Sequence, residues 1–152
     1  MHGRSLRPVS LGDGDASGWR TTLVGEYHYH GPDRFFPRRA ITDGRYKLIR
    51  NLEAGERTAG GHVDGDGSFG VAVRRPEGDA IREAYERLVD PPEWELYDLQ
   101  ADPIEFDNRA DDPELADVRS RLQTALDEWQ RATDDPYVDA AYRDRIAERF
   151  AQ

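Results

Sequence analysis

Residues 94–136 read WELYDLQADPIEFDNRADDPELADVRSRLQTALDEWQRATDDP, and this stretch decides the fold. Glu95–Leu99 has the composition of a short strand. A tight Asp102-Pro103 turn and a link containing Asn108 follow. Asp112 then stands as a helix N-cap with Pro113 at the first helical position. Leu115, Val118, Leu122, Ala125, Leu126 and Trp129 recur at spacings of three and four, which predicts one long helix over 112–133 with a single apolar stripe. Such a stripe is a docking face for a sheet. Asp134-Asp135-Pro136 ends the helix.

Upstream lie the strands that the stripe needs. Trp19–Tyr29 is rich in aromatic and β-branched residues, and Gly31-Pro32-Asp33 breaks it. Arg38–Thr42 and Tyr46–Asn51 flank Asp43-Gly44, a strong hairpin signal. Phe69–Val73 reads as a further short strand. Asp79 caps a helix over Asp79–Val89 with Ile81, Ala84, Tyr85 and Leu88 on one face, stopped by Pro91-Pro92. Asp139–Phe150 reads as a last amphipathic helix through Tyr142, Ile146 and Phe150. No internal repeat is visible. The expected fold is α+β, a small antiparallel sheet with a long C-terminal helix packed on one face. Residues 1–18 read as an irregular lead-in and 19–152 as one subdomain. Within it, 53–68 is a flexible Gly-rich loop.

The 152 residues suggest one domain. Hydrophobic content of 37% against 34% charged leaves room for a modest core only. No run approaches the roughly 18 apolar residues of a membrane-spanning helix. The N-terminus has no apolar signal-peptide segment, so the default location is cytoplasmic, with no membrane partner. There is no Cys, which excludes disulfides, thiolate catalysis and Cys-ligated zinc. Net charge is −10, Asp outnumbers Glu, and Lys47 is the one lysine. This acidic, lysine-poor surface suits a halophilic, salt-adapted source; a high-GC coding bias is the competing explanation. It argues against nucleic-acid binding, which needs a basic face.

Two regions together resemble the C-terminal subdomain of the sulfatase family, especially its heparan N-sulfatase branch. One is residues 94–136. The other is residues 25–52, GEYHYHGPDRFFPRRAITDGRYKLIRNL. There His30 lies seven residues before Pro37, Phe35-Phe36-Pro37-Arg38-Arg39 forms an aromatic-aromatic-Pro-x-Arg run, and Tyr46–Leu52 forms a basic strand ending in Asn-Leu. The resemblance covers nearly the whole chain, with 53–90 the poorest match, and it implies the fold already read. It also implies hydrolysis of a sulfate ester or sulfamate on a carbohydrate, by a formylglycine nucleophile beside calcium in an N-terminal domain. This chain has no Cys, and none of Ser5, Ser10, Ser17, Ser68 and Ser120 is followed by x-Pro-x-Arg. No catalytic residue is therefore assigned to it, and it should be inactive alone. The implied partners are that N-terminal catalytic domain and a sulfated sugar.

His30, Arg39 and Arg38 are the substrate-binding candidates. Arg39 has a fork of donors suited to carboxylate or sulfate, with a salt bridge inside an acidic domain as the alternative. Glu26, His28 and His30 share one strand face and form a weak metal candidate with no visible fourth ligand. Asp64-Gly65-Asp66-Gly67 lacks EF-hand spacing and reads as a solvated loop. Trp94, Tyr97 and Trp129 read as core, with sugar stacking as the alternative. If the catalytic domain is missing, Val24, Phe35 and Phe36 are expected to be exposed and to promote association. A stand-alone binding module derived from a sulfatase tail is the competing function.

Overall fold

The computed structural model describes residues 5, 7–12, 19–29, 35–56 and 66–150. Four strands, β1 (Leu23–Tyr29), β2 (Phe35–Thr42), β3 (Tyr46–Asn51) and β4 (Trp94–Asp98), form one antiparallel sheet in sequential order. The β2–β3 hairpin turns where the sequence places Asp43-Gly44. Gly44 takes φ +95°, and the Asp43 carboxylate accepts from the Arg45 and Tyr46 amides at 3.0 and 2.8 Å. The helices are α1 (Arg7–Ser10), α2 (Asp66–Ala72), α3 (Ala80–Val89), α4 (Ala116–Ala132) and α5 (Ala140–Phe150).

The register aligns Val24, Ile41, Leu48 and Leu96 in a row across all four strands. This row is the floor of the core. Leu122 and Leu126 of α4, both fully buried, lie on it with Leu115 and Ala110, and Val118, Ala125, Trp94 and Trp129 seal the margins. The periodic stripe thus meets the alternating strands as expected. Asp112 accepts from the Glu114 amide at 2.8 Å and opens a 3₁₀ turn, Pro113–Leu115, that leads into α4. Asp79 caps α3 through the Ile81 and Arg82 amides.

The outer rim of β4 is closed by the link that precedes α4. Asn108 Oδ1 accepts from the Leu96 amide at 2.9 Å, its Nδ2 donates to the Trp94 carbonyl, and the Arg109 amide donates to the Leu96 carbonyl. One departure from expectation is that Phe69–Val73 is not a strand: 66–72 are helical and pack against α3, and the β4 rim offers no free edge to pair with. The lead-in likewise contains a helical turn, α1. A second departure concerns the aromatic pair: Phe35 and Phe36 are buried, and Val24 is packed against the core. The apolar residues of β1, at the opposite edge of the sheet, that do face solvent are Leu23, Tyr27 and Tyr29.

Candidate functional site

Arg38 and Arg39 are consecutive on β2, so the pleat sends them to opposite faces of the sheet. Their fates differ accordingly. Arg39 points to the face covered by α4 and is 1% exposed. Its Nε and Nη2 donate to the two carboxylate oxygens of Asp135 at 2.8 and 2.7 Å, and Nη1 donates to the Arg38 carbonyl at 2.9 Å. The guanidinium also stands 4.8 Å from the Tyr137 ring centroid. All three guanidinium nitrogens donate within the fold, so the alternative reading of Arg39, an internal salt bridge, is the one the geometry supports. Asp135 further accepts from Gln130 Nε2 and the Tyr137 amide, each at 3.1 Å. Burial alone would raise this carboxyl, but the donors from Arg39, Gln130 and Tyr137 outweigh it and hold Asp135 below the ordinary carboxylate range.

His28 joins the same cluster. Its ring stacks on Tyr137 with centroids 4.2 Å apart and planes 7° from parallel, and Tyr142 meets Tyr137 edge-on. Burial lowers the His28 pKa, Arg39 lowers it further, and Glu26 and Asp135 only partly compensate. Glu26 approaches His28 Nε2 at 3.8 Å. These two form the described part of the weak metal candidate; His30 lies outside the described residues, as does Asp64. Among the described residues no three His, Asp or Glu side chains converge to hold a metal.

Arg38 faces the other side. Its register neighbours are Tyr27 on β1 and Asn51 on β3. The guanidinium packs over Phe36 at 5.1 Å and Tyr27 at 5.9 Å, while its Nε is covered and finds no acceptor. Burial lowers its pKa, against the raising influence of Glu95. Glu95 is engaged elsewhere: it accepts from Asn51 Nδ2 at 2.7 Å and from the Tyr97 hydroxyl. Asn51 Oδ1 is buried and unpartnered as well. Beside these groups a cleft of about 250 Å³ opens between the sheet and α3, lined by Arg38, Lys47, Arg87, Glu95, Tyr97 and Glu105 with Ile49 and Leu88. Lys47 and Glu105 pair across it at 2.6 Å.

Tyr97 is buried on the outer face of the sheet, and Trp94 and Trp129 are half-buried against the core. The sequence reading missed Asp135, Tyr137, Asn51 and Glu95. Asp135 was legible only as a helix stop, and its partner lies 96 residues away.

No protein-family model matches the chain. It is similar to human N-sulphoglucosamine sulphohydrolase, with 30% identity over 151 aligned positions that cover 92% of the chain and 28% of that protein. It is also similar to an ulvan-active sulfatase of Formosa agariphila, with 32% identity over 100 positions that cover 66% of the chain and 18% of that protein. The chain therefore spans less than a third of the curated relatives it matches. The fold superposes on the structure of a 2-O GAG sulfatase with a TM-score of 0.59 at 22% identity, covering 93% of this chain and 24% of that one. Sequence likeness, a four-stranded meander under a long helix, and partial coverage of much longer relatives agree: the chain belongs to the sulfatase family, as a counterpart of its C-terminal subdomain.

Proposed function

We propose that this chain is the C-terminal part of a hydrolase of sulfate esters or sulfamates acting on a sulfated carbohydrate. The chemistry is assigned to an α/β catalytic domain, carried in the same polypeptide or in another chain. The similarity to human N-sulphoglucosamine sulphohydrolase across 92% of the chain carries this reading. The residues present do not fit formylglycine or calcium. No Ser or Cys stands in the required motif, and among the described residues no metal-ligating group converges. Both cofactors are expected in the catalytic domain, as the family resemblance implies. The contribution of this chain is a rigid wall: a sheet locked by α4, with Leu23 and Tyr29 outward on β1 as apolar contacts for a docked neighbour.

The test begins with the DNA adjoining the coding sequence, read in all frames. A Cys/Ser-x-Pro-x-Arg motif with clustered Asp and Asn is expected there. Co-expression of the encoded domain with this chain should then give hydrolysis of 4-nitrophenyl sulfate that neither piece gives alone. A catalytic domain whose activity and solubility ignore this chain would overturn the proposal. The closed core of Ile41, Leu48, Leu96, Leu122 and Leu126 favours one second reading, a stand-alone binding module. That reading gains if the chain is a monodisperse, cooperatively unfolding monomer and no such domain is encoded.

A further inference from the structure

The two edges of the sheet are finished differently. Along β4, Asn108 and Arg109 take up the amide and carbonyl of Leu96 and the carbonyl of Trp94, so that edge is closed. β1 is hydrogen-bonded to β2, and among the described residues no strand or link pairs its other side. An open edge is a template for a further strand, and proteins that keep such an edge single blunt it with proline, lysine or a bulge. The seven residues of β1 include neither proline nor lysine. The irregularity near its end falls on the neighbouring strand. Tyr27 pairs with Arg38 and Tyr29 with Phe35, two steps along β1 against three along β2, so β1 itself stays regular. Its outer-face side chains are open to solvent, with Leu23 57%, Tyr27 39% and Tyr29 51% exposed.

We propose that β1 pairs antiparallel with β1 of a second copy of this chain, about a two-fold axis at Tyr27, joining two four-stranded sheets into one. The sequence of the strand selects both the partner and the register. A two-fold axis normal to the sheet keeps every residue on its own face, so it must pass beside a single residue. An axis at Glu26 sets one carboxylate directly against the other. An axis at Gly25 sets Val24 against Glu26, apolar against charged. An axis at His28 leaves only Tyr27, His28 and Tyr29 of β1 in overlap. At Tyr27 these conflicts vanish. On the face covered by α4, Glu26 of each copy lies opposite His28 of the other, so acid meets base twice. On the outer face Tyr27 meets Tyr27, and Tyr29 of one copy lies across Gly25 of the other. A Cβ built at Gly25 meets nothing within 4 Å, so the monomer leaves that place empty and an aromatic ring from the second copy has room there. His28 is already fixed for the pairing by its stack on Tyr137 at 4.2 Å. A single strand pair is a small interface, so the dimer forms in the micromolar range and is not obligate. The inference goes beyond the sulfatase reading and does not rest on it.

The test is sedimentation velocity on the whole chain over a concentration series in fixed KCl, where a monomer–dimer equilibrium is expected. Gly25→Lys, for which the monomer has room, puts a charged side chain where Tyr29 of the second copy would lie. It should weaken the dimer about tenfold or more at an unchanged melting temperature. The register is read separately. The chain has no Cys, so a single introduced cysteine can crosslink only between copies. Tyr27→Cys should form a disulfide dimer about tenfold faster than Glu26→Cys or Leu23→Cys, because only position 27 faces itself. A chain that stays monomeric at millimolar concentration, a dimer indifferent to Gly25→Lys, or crosslinking fastest at position 23 or 26 would each overturn the proposal. A monomeric chain whose β1 amides are protected from exchange only by a co-expressed catalytic domain would assign the edge to that domain instead. A dimer with the Tyr27 register stands whether or not the co-expression experiment yields a sulfatase, so the two readings fail independently.

Discussion

Arg38 and Arg39 differ by one position and by everything that follows from it. The pleat places one guanidinium beneath α4 and the other over an open cleft, so adjacent residues of identical chemistry serve scaffold and surface. The scaffold member is testable through stability. Removing one partner of a buried, bidentate pair leaves the other charge uncompensated, so Arg39→Gln should cost about 3–5 kcal/mol in urea unfolding. The same pair sets a pH dependence. The Asp135 carboxyl is lower in the fold than in the unfolded chain. Its contribution is thus fully present above the ordinary carboxylate range and is lost as pH falls through the folded value. Asp135→Asn should lower stability at neutral pH and flatten the acid limb of the stability curve. An unchanged acid limb would mean that other carboxylates dominate it.

Two helices of opposite character flank the sheet. The buried stripe of α4 was readable from its period, because a helix that must cover a sheet repeats its apolar residues every three or four positions. α3 shows a similar period, yet none of its residues is buried. It borders the cleft instead of filling a core. Periodicity records which face is apolar and not how much covers it. Leu126→Ala should therefore destabilise the protein by about 2–5 kcal/mol, while Leu88→Ala, at a position 42% exposed, should change stability by no more than about 0.5 kcal/mol. Urea unfolding of the two variants beside the parent distinguishes the helices directly. Equal losses would mean that α3 belongs to the core.

Over the whole molecule the acidic surface dominates. A net charge of −10 repels itself in the compact state, and added salt screens that repulsion. We propose salt adaptation, and the melting temperature is expected to rise as KCl increases. Full stability in low salt would assign the composition to coding bias. The ion pairs are many but mostly at the surface, as with Arg75–Asp79 and Arg82–Glu86 on and beside α3, and such pairs contribute little individually. The buried Arg39–Asp135 pair is of a different kind. It ties the segment after α4 to the middle of the sheet and closes the fold around its core.

The sequence by itself determined the α+β class, the Asp43-Gly44 hairpin, the Asp79 and Asp112 caps and the stripe of α4, because each depends on residues within a turn or two of one another. It also carried the family, through runs of adjacent residues. Tertiary structure alone decided what those residues meet. Only the folded chain brings Asp135 to Arg39 across 96 positions, stacks His28 on Tyr137, and buries Phe35 and Phe36. Only the register sets Arg38 opposite Asn51 with an unmet donor beside an unmet acceptor. The physical reason is the range of the interactions. Local hydrogen bonds and periodicity are written in neighbouring letters. Burial and charge pairing depend on which distant surfaces come together, and one residue of phase along a strand reverses the outcome.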